Sequence, residues 1–210
     1  DELSDQAVDV ARRLCSLATS AGCAEIVICA TSALREVDNG SEVVDRIEQV
    51  TGVPVRVISG RDEARLTFAA IRASVVLPAR PTVCFDLGGG SLEVMVGDSA
   101  GLLWSTSVKL GVGRLTAELV GSDPPSKSDR RRVRDRIREV LRPVVEAVAD
   151  FEPELAVGSS GTFCDLARMV AAARTGAVPV SVNQLTVTLE ELAAVHQRVF
   201  STDADGRRRI

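Results

Sequence analysis

Asp86-Leu87-Gly88-Gly89-Gly90-Ser91-Leu92-Glu93 lies between two short apolar runs, Thr82 to Asp86 and Leu92 to Val96. The pattern reads as strand, tight glycine turn, strand. Three glycines let the backbone turn sharply and present several N–H groups inward, and such a nest binds anions, phosphate above all. Asp86 closes the first strand, where a carboxylate can hold a divalent cation or its water. Ser91 can hydrogen-bond a phosphate oxygen. Alternation along the second strand puts Ser91 and Glu93 on one face and Leu92 and Val94 on the other. Glu93 is therefore a carboxylate on an otherwise apolar strand, close to the loop. The glycines alone would describe a Gly-rich hairpin with an edge glutamate; an aspartate before them and Ser-x-Glu after them point to phosphate.

On the amino-terminal side, Ala7, Val10, Ala11, Leu14, Leu17 and Ala18 recur at helical spacing over about Ser4 to Ala21, with Gly22 as a stop. The run Ile26 to Ala30 reads as a short buried strand. A helix follows from about Ser41 to Thr51, ended by Gly52, then a strand from Pro54 to Ile58. Ser59-Gly60-Arg61-Asp62 has the form of a capping box opening a helix through about Ser74. Alternating helices and strands predict an α/β fold with parallel pairing. Pro78-Ala79-Arg80-Pro81 punctuates the chain and marks a domain boundary, giving domains 1–79 and 80–210.

Beyond Val96, Leu103 to Leu110 is expected as a strand, with Gly111-Val112-Gly113 turning into a helix near Arg114 to Val120. Ser128 to Asp150 reads as a long basic helix with a kink or break at Pro143. Leu155 to Gly158 is a strand, Phe163 to Ala173 a helix, Val182 to Thr188 a further strand and Leu189 to Phe200 a helix.

The 210 residues, 45% apolar and 26% charged, can bury a real core in one large domain or two small ones. No apolar run reaches the ~18 residues of a membrane helix, so no membrane partner is expected. The net charge of −4 argues against a general nucleic-acid surface. Of 25 basic residues only Lys109 and Lys127 are lysines. Arginine's planar fork suits phosphate and carboxylate, although a GC-rich genome explains the bias more simply. Five cysteines without a CxxC pattern, four of them in apolar stretches, read as buried free thiols of a reduced, cytoplasmic protein.

Other candidate elements carry less. Gly111-Val112-Gly113 lacks the third glycine of a dinucleotide fingerprint, and no Walker A pattern exists. Gly158-Ser159-Ser160-Gly161-Thr162 opens a helix after a strand, a sound place for an anion. His196, the only histidine, sits among charged residues and reads as a solvated side chain; Cys164 reads as core. Asp62 and Glu63 fall in a first helical turn, where carboxylates complement the helix dipole. If both domains aim strand ends at a common cleft, Glu63 could also take a proton from water attacking phosphorus.

Taken in order, Ala30 to Glu36, Ile58 to Arg65, Asp86 to Glu93, Gly113-Arg114-Leu115-Thr116 and Gly161-Thr162 resemble the exopolyphosphatase/guanosine pentaphosphate phosphatase (Ppx/GppA) family of the actin-like ATPase superfamily. The resemblance implies two ribonuclease-H-like domains facing a cleft, and Mg²⁺-assisted removal of a terminal phosphate from inorganic polyphosphate or guanosine pentaphosphate. It implies Glu63 as general base, Glu93 as second catalytic carboxylate and Asp86 as the metal-linked aspartate, with Glu93 beside it. It implies phosphate contacts from Arg35, Gly88, Gly89, Gly90, Ser91, Gly161 and Thr162. A homodimer is left open. Leu92 stands where the family usually has threonine, on the face turned away from the loop. The family's first phosphate loop does not precede the first helix. The chain is therefore expected to be truncated at both ends, the middle of a protein of roughly 300 residues or more, and to be inactive alone if the missing loop is essential.

Two alternatives stay open. One is a non-catalytic polyphosphate or alarmone sensor on the same fold, against which the retention of both Glu63 and Glu93 argues. The other is an ATP-using relative such as a sugar kinase, for which no adenosine pocket can be read. The run Arg130-Arg131-Arg132-Val133-Arg134-Asp135-Arg136 reads first as a solvated helix face and second as a guide for a polyanion.

Overall fold

The computed structural model describes residues 2–207. The chain divides between Glu63 and Ala64 into two compact units.

In the first unit, α1 (Glu2–Ser20) and α3 (Gly40–Thr51) pack against each other beside a two-stranded parallel sheet of β1 (Ile28–Ala30) and β2 (Val55–Val57), with the short α2 (Ser32–Arg35) after β1. The core gathers Val8, Val43 and Ile47 with Ile28, Leu34 and Val55. Both α1 and α3 end as expected: Gly22 and Gly52 take left-handed φ values of 78° and 70°, a conformation that is cheap only without a Cβ. The apolar face of α1 differs from the expected one. Ser4 and Val8 are the buried positions, and Val10, Leu14 and Leu17 are exposed. The helix thus carries two apolar stripes, and α3 takes the one through Val8 and Ala11. Nor is the run Ile26 to Ala30 buried throughout: Val27 and Cys29 are exposed, because among the described residues β1 pairs with β2 alone. Among the cysteines only Cys84 is buried; Cys23 and Cys29 are exposed, and Cys15 and Cys164 are intermediate. Burial pushes the Cys84 thiol up to about 12, which leaves it inert.

The helix α4 (Gly60–Ser74) begins where the capping box places it. Ser59 Oγ accepts from the Asp62 amide at 3.1 Å and donates to the Asp62 carboxylate at 2.7 Å. Packing assigns Ala64 to Ser74 to the second unit, whereas Pro78 and Pro81, which marked the expected boundary, follow α4 in the chain. The reason is that Ala64, Phe68 and Ile71 join one core with Cys84 and Met95.

The second unit is built on a four-stranded mixed sheet of β3 (Thr82–Leu87), β4 (Leu92–Gly97), β5 (Leu102–Val108) and β6 (Leu155–Ser159), in the order β5-β4-β3-β6. β6 runs parallel to β3; the β3–β4 and β4–β5 pairs are antiparallel. Alternation gives the sheet two faces. Cys84 and Met95 pack under α4, and Val83, Leu92, Val94 and Val96 pack with Leu110 and Val144. Each such side chain contributes ~1.5–3 kcal/mol on burial. α5 (Val112–Leu119) and α6 (Lys127–Ala149) cover the second face, and α7 (Ser160–Thr175) packs Phe163 against Phe85. α8 (Leu189–Phe200) and the short α9 (Ala204–Arg207) follow.

Neither a break at Pro143 nor a strand over Val182 to Thr188 forms here. α6 runs unbroken through Pro143: Pro143 and Glu139, whose carbonyl loses its partner, both face solvent, while Val140, Leu141 and Val144 hold the helix to the sheet. Val182 to Thr188 forms no strand. Gln184 takes a φ of 60°, the Leu185 amide turns back to the Val182 carbonyl, and the Gln184 side chain is tied to the Ser74 carbonyl at 2.9 Å. A left-handed residue in its middle prevents the run from extending.

Candidate active site

The sheet register builds the site. Asp86 is opposite Glu93, Glu93 is opposite Ser107, and Asp86 is also beside Ser159. Partners across a ladder share a face, so these four residues form a polar row spanning all four strands, on the face that further along holds Cys84 and Met95. Glu93 is 2% exposed, and burying a carboxylate costs heavily unless it is hydrogen-bonded. Ser107 Oγ donates to Glu93 Oε1 at 2.7 Å. Thr67 Oγ1, from α4, donates to Asp86 Oδ2 at 3.2 Å. Neither hydroxyl was among the expected site residues. Ser107 stands out in the sequence only as a polar residue in a strand; pairing it with Glu93 requires the register.

The glycine loop is locked from its carbonyl side. Ser160 Oγ and Thr162 Oγ1 both donate to the Leu87 carbonyl, at 2.8 and 3.2 Å. The first turn of α5 takes the next three carbonyls: the Val112 amide donates to Gly88, and the Arg114 amide to Gly89, each at 3.0 Å. Arg114 Nε donates to the Gly90 carbonyl at 3.0 Å. With the carbonyls held, the Gly88 amide closes the turn on the Ser91 carbonyl at 3.1 Å. A Cβ on Gly89 would meet nothing within 4 Å. The exposed side of the loop is thus open at Gly89, as an anion-binding nest requires.

Gly111 and Gly113 have a structural use here. A Cβ on Gly111 would lie 2.3 Å from the backbone of Gly89 and Gly90, and one on Gly113 would lie 3.2 Å from the Gly89 carbonyl oxygen. At this approach of α5 to the loop a Cβ is excluded at Gly111 and tight at Gly113, so the pair serves the loop as a buttress. Thr162 likewise spends its hydroxyl proton on Leu87, while a Cβ on Gly161 would meet open space. Ser160 sits at φ 74°, an uncommon value for serine, at the point where β6 turns into α7.

The first unit holds the other group. Arg35 Nη1 donates to the Ile58 carbonyl at 2.7 Å and lies 3.4 Å from Glu63 Oε2; its Nη2 is 3.7 Å from Glu36 Oε1. The two carboxylates and the arginine are partly buried, with side chains 14–23% exposed. The structure therefore brings Arg35 and Glu63 together, and separately brings Asp86, Glu93, the glycine loop, Gly161 and Thr162 together.

No cluster of three or more histidine, cysteine, aspartate or glutamate side chains that could hold a metal exists among the described residues. Asp86 and Glu93 do suit Mg²⁺, which binds through one or two carboxylates plus substrate oxygens and water. Two carboxylates directly opposite on a ladder repel, and a divalent cation offsets that repulsion.

The α/β scaffold thus presents a glycine loop flanked by two carboxylates. The chain belongs to the Ppx/GppA phosphatase family, whose family model matches residues 1–210. It is 38% identical over 202 residues to exopolyphosphatase 1 of Mycobacterium leprae, covering 95% of this chain and 60% of that protein. It is 37% identical to exopolyphosphatase 1 of Mycobacterium tuberculosis, covering 95% and 59%. The chain thus spans about 60% of the length of these relatives. The crystal structure of an exopolyphosphatase from Cytophaga hutchinsonii superposes with a TM-score of 0.89 at 26% identity, over 99% of this chain and 67% of that one. The Aquifex aeolicus member of the Ppx/GppA family shares the fold, with a TM-score of 0.72 at 20% identity over 100% and 66% of the two chains.

Proposed function

We propose that this chain is part of an exopolyphosphatase that releases the terminal phosphate of inorganic polyphosphate by attack of water, with Mg²⁺. The observation that carries the reading is the row Ser107, Glu93, Asp86, Ser159 beside a glycine loop whose carbonyls are all tied down. Such a loop offers its amide side to a phosphate, with no reorganisation when charge develops. Similarity to proteins named exopolyphosphatase supports polyphosphate as the substrate.

In this reading Glu63 accepts the proton of the attacking water. Arg35, already held by the Ile58 carbonyl, offsets phosphate charge. Ser91 and the amides around Gly89 and Gly90 hold the terminal phosphate, and Gly161 leaves room for it. Asp86 and Glu93 would hold Mg²⁺, which supplies charge neutralisation of the phosphoanhydride. Residues 1–79 are read as the remainder of a first ribonuclease-H-like domain and residues 80–210 as a second one. Guanosine pentaphosphate presents the same terminal phosphoanhydride and is the second substrate to test. Free cysteines fit a reducing cytoplasm.

Phosphate release from long-chain polyphosphate with Mg²⁺ is the direct test. Release is expected from the whole exopolyphosphatase of which this chain is part, and Glu63→Ala in that protein should abolish it with an unchanged circular dichroism spectrum. Undiminished release by that variant would overturn the role of Glu63. Mg²⁺ should also raise the melting temperature, and Asp86→Asn should remove that shift; a shift that persists would place the ion elsewhere. Tight polyphosphate binding without any turnover would favour a sensor.

A further inference from the structure

The helix α6 carries eight cations against four carboxylates in a chain of net charge −4. Its eight cations fall into two groups. Arg130 donates to the Pro125 and Phe200 carbonyls and lies over the Phe200 ring. Arg132 holds Asp129 and the Leu119 carbonyl, and Arg136 holds Glu139. These three tie the helix to its surroundings or to its own acidic side chains.

The second group is Lys127, Arg131, Arg134, Arg138 and Arg142. All five are exposed. Their spacing of four, three, four and four residues places them on one line along the helix, extending over roughly 22 Å. Arg131 has Asp135 at 3.7 Å; the other four make no ion pair among the described residues. Cations three and four residues apart repel one another, and among the described residues only Asp135, beside Arg131, offsets that repulsion by an ion pair.

We propose that this stripe is a docking surface for a linear polyphosphate, binding the polymer away from the phosphate that is released. The proposal rests on the polyphosphate reading above and adds a second contact for the same substrate. Charge and shape select the occupant. A single line of point charges matches a linear polyanion. α6 has no aromatic residue on which nucleic-acid bases could stack. Among large apolar residues on α6 only Val145 is exposed, too little for a lipid surface. Guanidinium groups bind phosphate oxygens through paired N–H donors.

The test compares wild type with Arg131→Gln/Arg134→Gln/Arg138→Gln/Arg142→Gln, binding long-chain polyphosphate and tripolyphosphate across salt concentrations. Long-chain binding by the variant should weaken at least tenfold at low salt. The slope of log affinity against log salt should fall by about 3, at ~0.7 per phosphate contact on a single strand. Tripolyphosphate binding should not change. The corresponding four-lysine variant keeps the charge and should restore long-chain binding. If the four-glutamine variant misfolds, the folded Arg138→Gln/Arg142→Gln pair replaces it, with weakened long-chain binding again expected.

Unchanged long-chain binding, an equal loss for tripolyphosphate, or single-stranded RNA binding the stripe as tightly as polyphosphate would each overturn the proposal. Normal phosphate release with unchanged long-chain binding would sink this inference and leave the hydrolase reading intact. A lost long-chain contact in a protein that releases no phosphate would do the reverse.

Discussion

Ser107 and Glu93 face each other across the β4–β5 ladder, and the serine hydroxyl donates to the buried glutamate carboxylate at 2.7 Å. A carboxylate so nearly enclosed needs its donors, and the same hydrogen bond fixes the direction in which its oxygens point. The parallel arrangement at Asp86, where Thr67 is the donor, means that both carboxylates of the row are oriented by hydroxyl groups.

Ser107→Ala should therefore destabilise the protein by about 1–3 kcal/mol, the cost of leaving a buried acceptor short of a donor. It should also lower phosphate release, because Glu93 loses its orientation. Ser107→Thr keeps the hydroxyl on a strand position that tolerates β-branching and should recover most of both. Denaturant unfolding alongside phosphate release checks the pair. Equal behaviour of the alanine and threonine variants would show that the hydroxyl does not hold Glu93.

The glycine loop gives a sharper contrast. Gly111→Ala puts a methyl group 2.3 Å from the backbone of Gly89 and Gly90. No flexible side chain is available to yield there, so the loop or α5 must move, at a cost of ~1–3 kcal/mol. Gly89→Ala meets nothing within 4 Å and should change stability by no more than ~0.5 kcal/mol. It nevertheless places a methyl group on the open side of the loop and should weaken phosphate binding. Thermal melts and inorganic phosphate titrations distinguish the two. A destabilised Gly89→Ala or an unaffected Gly111→Ala would contradict the assignment of Gly111 as buttress and Gly89 as open edge.

How much of this could be read from the sequence follows the range of the interactions involved. Gly22, Gly52 and the Ser59–Asp62 box act within one turn, and the helices they bound were legible. So was the Asp86–Glu93 hairpin, because the alternation of Ser91, Leu92, Glu93 and Val94 is local. Ser107 was not legible as a site residue, since its role needs the register between β4 and β5. Gly111 could be seen as a turn but not as a buttress, because its neighbour is Gly89 across a loop. Val182 to Thr188 has the composition of a strand, yet Gln184 and its tie to Ser74 decide otherwise. The α1 stripe failed for a related reason: two apolar faces were available, and only α3 selects between them.

The first turn of α6 gives a pH-dependent prediction. Ser126 caps the helix, with Asp129 completing the box: Ser126 Oγ accepts from the Asp129 amide at 3.1 Å, and the Ser126 amide donates to Asp129 Oδ2 at 2.9 Å. Hydrogen bonds from Ser126, helped by Ser122 and by the charge of Arg132, hold the Asp129 carboxyl at about 2, below its ordinary 3.8. A carboxyl depressed in the folded state contributes stability that is fully present above its unfolded value and lost as pH falls through the folded one. Wild type should therefore exceed Asp129→Asn in stability by a constant margin at pH 5 and above. The margin should shrink below about 3.8 and be lost as the pH falls through about 2. Ser126→Ala removes the cap itself and should cost ~1 kcal/mol. Denaturant melts of the three proteins between pH 6 and pH 2 check both. A margin that stays constant to the lowest pH would mean that the Asp129 charge contributes nothing to the cap.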